Sequence, residues 1–138
     1  MTERKAIDAV LRNFEWFNQV MATPGHVITR EEVERGFAPD ARMVANGQLK
    51  CAGIEAHLQH FRELQNKLKI LKVRMPLEES ITNEHECAAY YKIDYVMRDG
   101  TAGIVHDSAL WRVRDGKVAL MVESAAFEGP DIPLENHK

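Results

Sequence analysis

The sequence is poor in cysteine: Cys51 and Cys87 are the two in 138 residues, far apart and in no CxxC pair. Nothing in it requires a disulfide, and two free thiols in a reducing cytoplasm are the expectation. It has no apolar run approaching the roughly 18–20 residues of a membrane span. It has no basic excess either. Lys and Arg number 18 against 21 Asp and Glu, a net charge of -3. A nucleic-acid-coating face or a membrane partner is therefore not expected. The opening Met1-Thr2-Glu3-Arg4-Lys5 is mixed in charge and is not read as a secretory leader. GxSxG, HExxH, GxGxxG and a phosphate-cradling glycine loop are all absent. No cofactor and no metal are expected.

What is present is enough apolar residue, 45%, for one folded domain. Residues 1–128 are assigned to that domain and 129–138 to an extended, loosely held tail. Ile7, Val10, Leu11, Phe14, Phe17 and Met21 recur at helical spacing, so one helix is predicted over 3–21. Thr29-Arg30-Glu31-Glu32 is a capping box for a short second helix ending by Gly36. Phe37-Ala38-Pro39-Asp40 reads as a turn, 42–45 and 48–51 as strands joined at Asn46-Gly47. Gly53 opens a third helix with Ile54, His57, Leu58, Phe61, Leu64 and Leu68 on one stripe. The rest reads as strands: 70–82, interrupted near Pro76, then 87–98, 101–114 and 117–127, with Asp99-Gly100 and Asp115-Gly116 as turns. Helices first and antiparallel strands after give an α+β domain.

This order resembles the nuclear transport factor 2-like, or SnoaL-like, superfamily, a cystatin-like α+β cone. Phe37-Ala38-Pro39-Asp40-Ala41 is similar to that family's entry into its first strand. Gly53-Ile54-Glu55-Ala56 is similar to the start of its third helix, and residues 111–118 (WRVRDGKV) to its last hairpin. The resemblance implies a curved, mixed, mostly antiparallel sheet wrapped around three helices. It also implies a pocket in the wide end and a homodimer formed through the outer sheet face. It does not imply one reaction. In the ketosteroid isomerase type a base, a tyrosine and an acid do the chemistry. The matching positions here are Ala45, Phe14 and Ala109, none of which transfers a proton. The limonene epoxide hydrolase type carries a catalytic aspartate where Glu123 stands. Its arginine and second aspartate match Tyr90 and Lys92, so that triad is not reproduced.

Carboxylates on apolar strand faces are the remaining signal. Val105, Asp107, Ala109, Trp111 and Val113 share one face of their strand, and an isolated carboxylate there needs a partner or a role. Strand 87–98 has two open registers. The family register turns Tyr90, Lys92 and Asp94 into the pocket; hydrophobic matching turns Tyr91, Ile93, Tyr95 and Met97 inward instead. In the family register Lys92, Asp94, Asp107 and Glu123 converge. Glu123, Asp107 and Asp94 are the catalytic candidates, with Lys92 pairing one of the carboxylates. Phe14, Trp16, His57, Phe61, Tyr90, Lys92 and Trp111 are the substrate-binding candidates. His57 and His60 at i, i+3 admit a metal, but His57 is read as a hydrogen-bonded pocket or core residue and His60 as solvated. His106 should face the outer side. A small, largely apolar ligand is the expected partner. Proton-transfer catalysis and non-catalytic binding are the two functional readings.

Overall fold

The computed structural model describes residues 5–132. Its elements run α1 (Ala6–Met21), α2 (Arg30–Gly36), β1 (Phe37–Ala45), β2 (Gln48–Ala52), α3 (Ile54–Lys67), β3 (Leu68–Val73), β4 (Glu79–Thr82), β5 (Glu86–Met97), β6 (Ala102–Arg114) and β7 (Lys117–Glu128). The sheet order is β2-β1-β7-β6-β5-β3, with β4 also paired to β5. All pairs are antiparallel except β1 with β7. The expected α+β cone is present: three helices lie against one curled, mixed sheet. Among the described residues no helix is long and apolar enough to cross a membrane.

Local chemistry explains most boundaries. Thr29 accepts from the Glu32 backbone N–H and the Glu32 side chain accepts from the Thr29 N–H, so α2 starts where the capping box puts it. Asn46 and Gly47 both have positive φ, at 49° and 82°, which a two-residue hairpin with the right twist requires. Asn46 also reaches out of its turn. Its N–H donates to the Glu123 carbonyl and its Oδ1 accepts from the Ala125 N–H, which pins the β1 end to β7. Asn18 does the same for α1, bonding both the carbonyl and the N–H of Val73.

Several expectations need correction. Phe37–Asp40 is not a free turn but the start of β1, because Phe37 already pairs with Val118 and a bulge absorbs the mismatch before Arg42. The strand expected over 70–82 is two strands, β3 and β4. They are split around a cis Met75–Pro76 bond and both pair with β5. The proposed start of α1 at residue 3 lies outside the described residues; the described helix begins at Ala6. The tail is held rather than loose over its described part. Tyr95 donates its hydroxyl to the Pro130 carbonyl, and Ile132 is buried with the α3 stripe. The remainder of the tail, 133–138, lies outside the described residues.

The decisive correction is the β5–β6 register. A two-residue Asp99-Gly100 turn would place Lys92 opposite Asp107. The loop instead has three residues, 98–100, with Met97 and Thr101 bonded across it and Gly100 at φ 92°. Tyr91 therefore pairs with Asp107, and Lys92 with His106. One added loop residue turns the whole strand over. Cys87, Ala89, Tyr91 and Tyr95 face inward as hydrophobic matching demands.

Candidate functional site

A cavity of about 770 Å³ lies between the helices and the concave sheet face. Its walls are mostly hydrocarbon, with Phe14, Trp16 and Phe17 from α1, Phe37 from β1, Phe61 from α3 and Trp111 from β6. Phe14 packs against both Tyr91 (ring centroids 5.1 Å apart) and Trp111 (5.9 Å), and Tyr91 stacks on Trp111. Trp16 is fixed from outside the cavity by a 3.0 Å bond from its Nε1 to Glu32.

Asp107 and Glu123 project into this apolar room from neighbouring strands. Asp107 pairs with Ala125 and Ala109 with Glu123, so the two acids are diagonal neighbours on one face. Alternation alone would not align them with Val118. An extra residue, Ala119, bulges β7 between the Val113–Val118 and Arg112–Leu120 pairs and brings Val118, Met121 and Glu123 to the same side.

Asp107 is 1% exposed. Burial, and then Glu123 beside it, push its carboxyl well above the usual range, to about 10. Tyr91 donates its hydroxyl to Asp107 Oδ2 at 3.0 Å and favours the charged form, a weaker influence. Asp107 Oδ1 meets no donor among the described residues. Two carboxylates are both acceptors and repel each other in an apolar wall, so a proton on Asp107 is favoured. Asp107 holds that proton at neutral pH. Tyr91, buried between the acids and the rings, is pushed well above its ordinary value and stays a phenol.

On the opposite, helical wall sits His57, 2% exposed. Its Nδ1 lies 2.7 Å from the Gly53 carbonyl. Burial lowers its pKa despite that bond, so the ring is neutral. His60 is half-buried and lines the cavity, not solvated as expected.

The structure thus brings together Asp107, Glu123, Phe14, Trp16, His57, Phe61 and Trp111 around one cavity. It does not bring Tyr90, Lys92 or Asp94 to it, because the three-residue loop turns them to the outer face. There Asp94 takes two bonds from Arg74, at 2.8 and 2.7 Å. Lys92 pairs with Glu78 at 3.1 Å rather than with Asp107 or Glu123. Tyr90 meets His106 Nδ1 at 3.3 Å, and His106 Nε2 meets Glu128 at 2.9 Å. His106 faces outward as expected. Tyr91 is the site residue that the family register misplaces; the apolar pattern of Tyr91, Ile93 and Tyr95 was the signal for it. Among the described residues no three His, Cys, Asp or Glu side chains are grouped to hold a metal. Both cysteines are free and buried.

No protein-family model matches the sequence, and no curated protein does. Solved structures do match it. An epoxide hydrolase of Mycobacterium tuberculosis, like limonene epoxide hydrolase, aligns with TM-score 0.70 and 12% identity over 88% of this chain and 82% of its own. A Jannaschia protein assigned to the SnoaL-like polyketide cyclases gives 0.68 and 19%, over 91% and 89%. A nuclear transport factor 2-like protein of Anabaena variabilis gives 0.70 and 17%, over 96% of each chain. At these identities the likeness is one of fold. The chain has the nuclear transport factor 2-like fold, as the resemblance of its sequence implied.

Proposed function

We propose that this protein is a small-molecule enzyme that performs proton-transfer chemistry on a small, largely apolar substrate in the cone cavity. One observation carries the reading: a buried carboxyl that keeps its proton faces a second carboxyl inside an aromatic-lined cavity. Perturbed acids in clefts of this kind are poised for acid–base catalysis. Asp107 is the acid or hydrogen-bond donor to a substrate oxygen. Glu123 is the base, toward a carbon-bound proton or a water. The low dielectric strengthens both interactions. Isomerisation, dehydration and hydrolysis all use that pair, and an epoxide opened by Asp107 with water activated by Glu123 is one form. The fold is shared with epoxide hydrolase-like and cyclase-like proteins, which supports the class of chemistry and not a particular substrate.

The test is turnover on a panel of small epoxides, hydroxyketones and unsaturated ketones, followed by Glu123→Gln and Asp107→Asn. Each variant should lower kcat about a hundredfold or more while the chain stays folded. Unchanged turnover in Glu123→Gln removes it from the mechanism. A second reading, ligand binding without catalysis, is favoured by Phe14, Ala45 and Ala109 standing where the isomerase type has its acid–base groups. It predicts saturable binding of such molecules and no turnover of any.

We also propose a cytoplasmic homodimer through the outer sheet face. The outward positions that support it are Leu110 and Val122, cross-strand partners that are 43% and 37% exposed. Tyr91, Ile93 and Tyr95, which the family register of strand 87–98 would turn to this face, face the interior and do not contribute.

A further inference from the structure

We propose that His57 is a recognition residue for a ligand hydroxyl or N–H group. Its Nε2 accepts a hydrogen bond from a donor on the same molecule whose reacting atoms meet Asp107 and Glu123. The proposal rests on reading the cavity as a substrate site, and it narrows the substrate to one that carries a donor on an otherwise apolar body.

The buried residues of α3 are Ile54, His57, Leu58, Phe61 and Leu64. Four are hydrocarbon, and the fifth is an imidazole with two polar atoms. The Gly53 carbonyl can only accept, so the Nδ1 it contacts at 2.7 Å must carry the proton. That fixes the tautomer and leaves Nε2 as a bare acceptor. Apart from the bond to Gly53, the ring's neighbours are aromatic, Phe37 and Phe61. The ring packs on Phe37, with centroids 5.0 Å apart, which sets its plane, and it lines the cavity. A neutral imidazole on the wall of an apolar cavity offers its free acceptor to a donor brought in by a ligand. The lowered pKa of the ring keeps Nε2 an acceptor at neutral pH.

An acceptor of this kind has a definite selectivity. It binds alcohols, phenols, enols and amide N–H groups. It gives nothing to an ether, a ketone or a carboxylate. The carboxyl pair on the sheet wall has the complementary preference, since protonated Asp107 can donate to an oxygen acceptor. The two walls together fit a hydroxylated, uncharged molecule with an acceptor oxygen away from its hydroxyl.

The test uses 2-naphthol and 2-methoxynaphthalene, which share a body and differ in the donor. Binding to the full-length protein is measured by calorimetry for wild type, His57→Phe and Asp107→Asn. The 15N resonances of His57 are followed in wild type with each probe. Wild type should prefer the naphthol by about tenfold. Asp107→Asn should keep that preference and His57→Phe should lose it. The His57 Nε2 resonance should move with the naphthol and not with the ether. Should His57→Phe fail to fold, the wild-type resonances decide alone. No preference in wild type, an unmoved Nε2 resonance, or a preference that survives His57→Phe overturns the inference. A preference lost in Asp107→Asn and kept in His57→Phe assigns the hydroxyl to the carboxyl pair, which overturns the role of His57 and leaves the proposed chemistry standing. The reverse failure, unchanged turnover in Glu123→Gln with the His57 pattern intact, removes the chemistry and keeps the contact.

Discussion

Asp107 sets a sign on the pH dependence of stability. Its folded pKa is raised, to about 10, while an unfolded aspartate titrates near the ordinary value of 3.8. Between those limits the folded state holds a proton that the unfolded state releases. Its contribution is therefore full below about pH 4 and is lost as pH rises toward 10, by at most about 1.4 kcal/mol per pH unit. Asp107→Asn removes the titration, so its stability should fall less steeply than that of wild type from about pH 5 to about pH 9. Urea unfolding at several pH values checks this, and parallel slopes would sink it. The thiols make a second expectation. Burial pushes Cys51 up to about 12, with Glu123 adding to it, and Cys87 to about 11. Both should label slowly with a disulfide reagent in the native protein and quickly in urea. Fast native labelling of either would contradict that burial. At this scale the sequence exposed the anomaly, a carboxylate on the apolar face of Val105, Ala109 and Trp111. It also offered Glu123 as a companion in the cavity, but it left Tyr91 undecided, because that residue's face depends on how β5 pairs with β6.

At the level of elements, turn chemistry and periodicity carried the reading until a loop length decided a face. The Asp115-Gly116 turn is the two-residue form, with both residues at positive φ. Asp99-Gly100 looks the same in sequence and sits in a three-residue loop. Local residues permit both, so cross-strand packing chooses. Burying Tyr91 and Tyr95 outweighs burying Lys92 and Asp94, whose charges would lose their water and their partners Glu78 and Arg74. Gly103 shows how closely that packing is set. It lies opposite Tyr95, and a Cβ there would meet the Tyr95 hydroxyl oxygen and the Glu128 carbonyl. The same hydroxyl holds Pro130. Gly103→Ala should therefore destabilise the chain by about 3 kcal/mol, because backbone cannot retreat as a flexible side chain would. A denaturation midpoint like that of wild type would show that Tyr95 can move aside.

For the whole molecule, the outer sheet face joins polar ladders such as Tyr90–His106–Glu128 to the exposed Leu110 and Val122. If this face pairs two copies, wild type should sediment as a dimer at micromolar concentration and Leu110→Glu as a monomer, with a charge buried at the contact. A monomeric wild type would remove the dimer. The helix stripes, the capping box and the Asn46-Gly47 and Asp115-Gly116 turns are local properties, and the sequence by itself determined them, along with the helices-then-strands order and so the fold class. The isolated Asp107 was also visible there. Tertiary structure alone decided which face of β5 lines the cavity, that a bulge at Ala119 aligns Glu123 with Asp107, and that Tyr91 rather than Lys92 completes the group. A strand's two faces differ by one residue of register, and that residue is fixed by what the neighbouring strands and helices can bury.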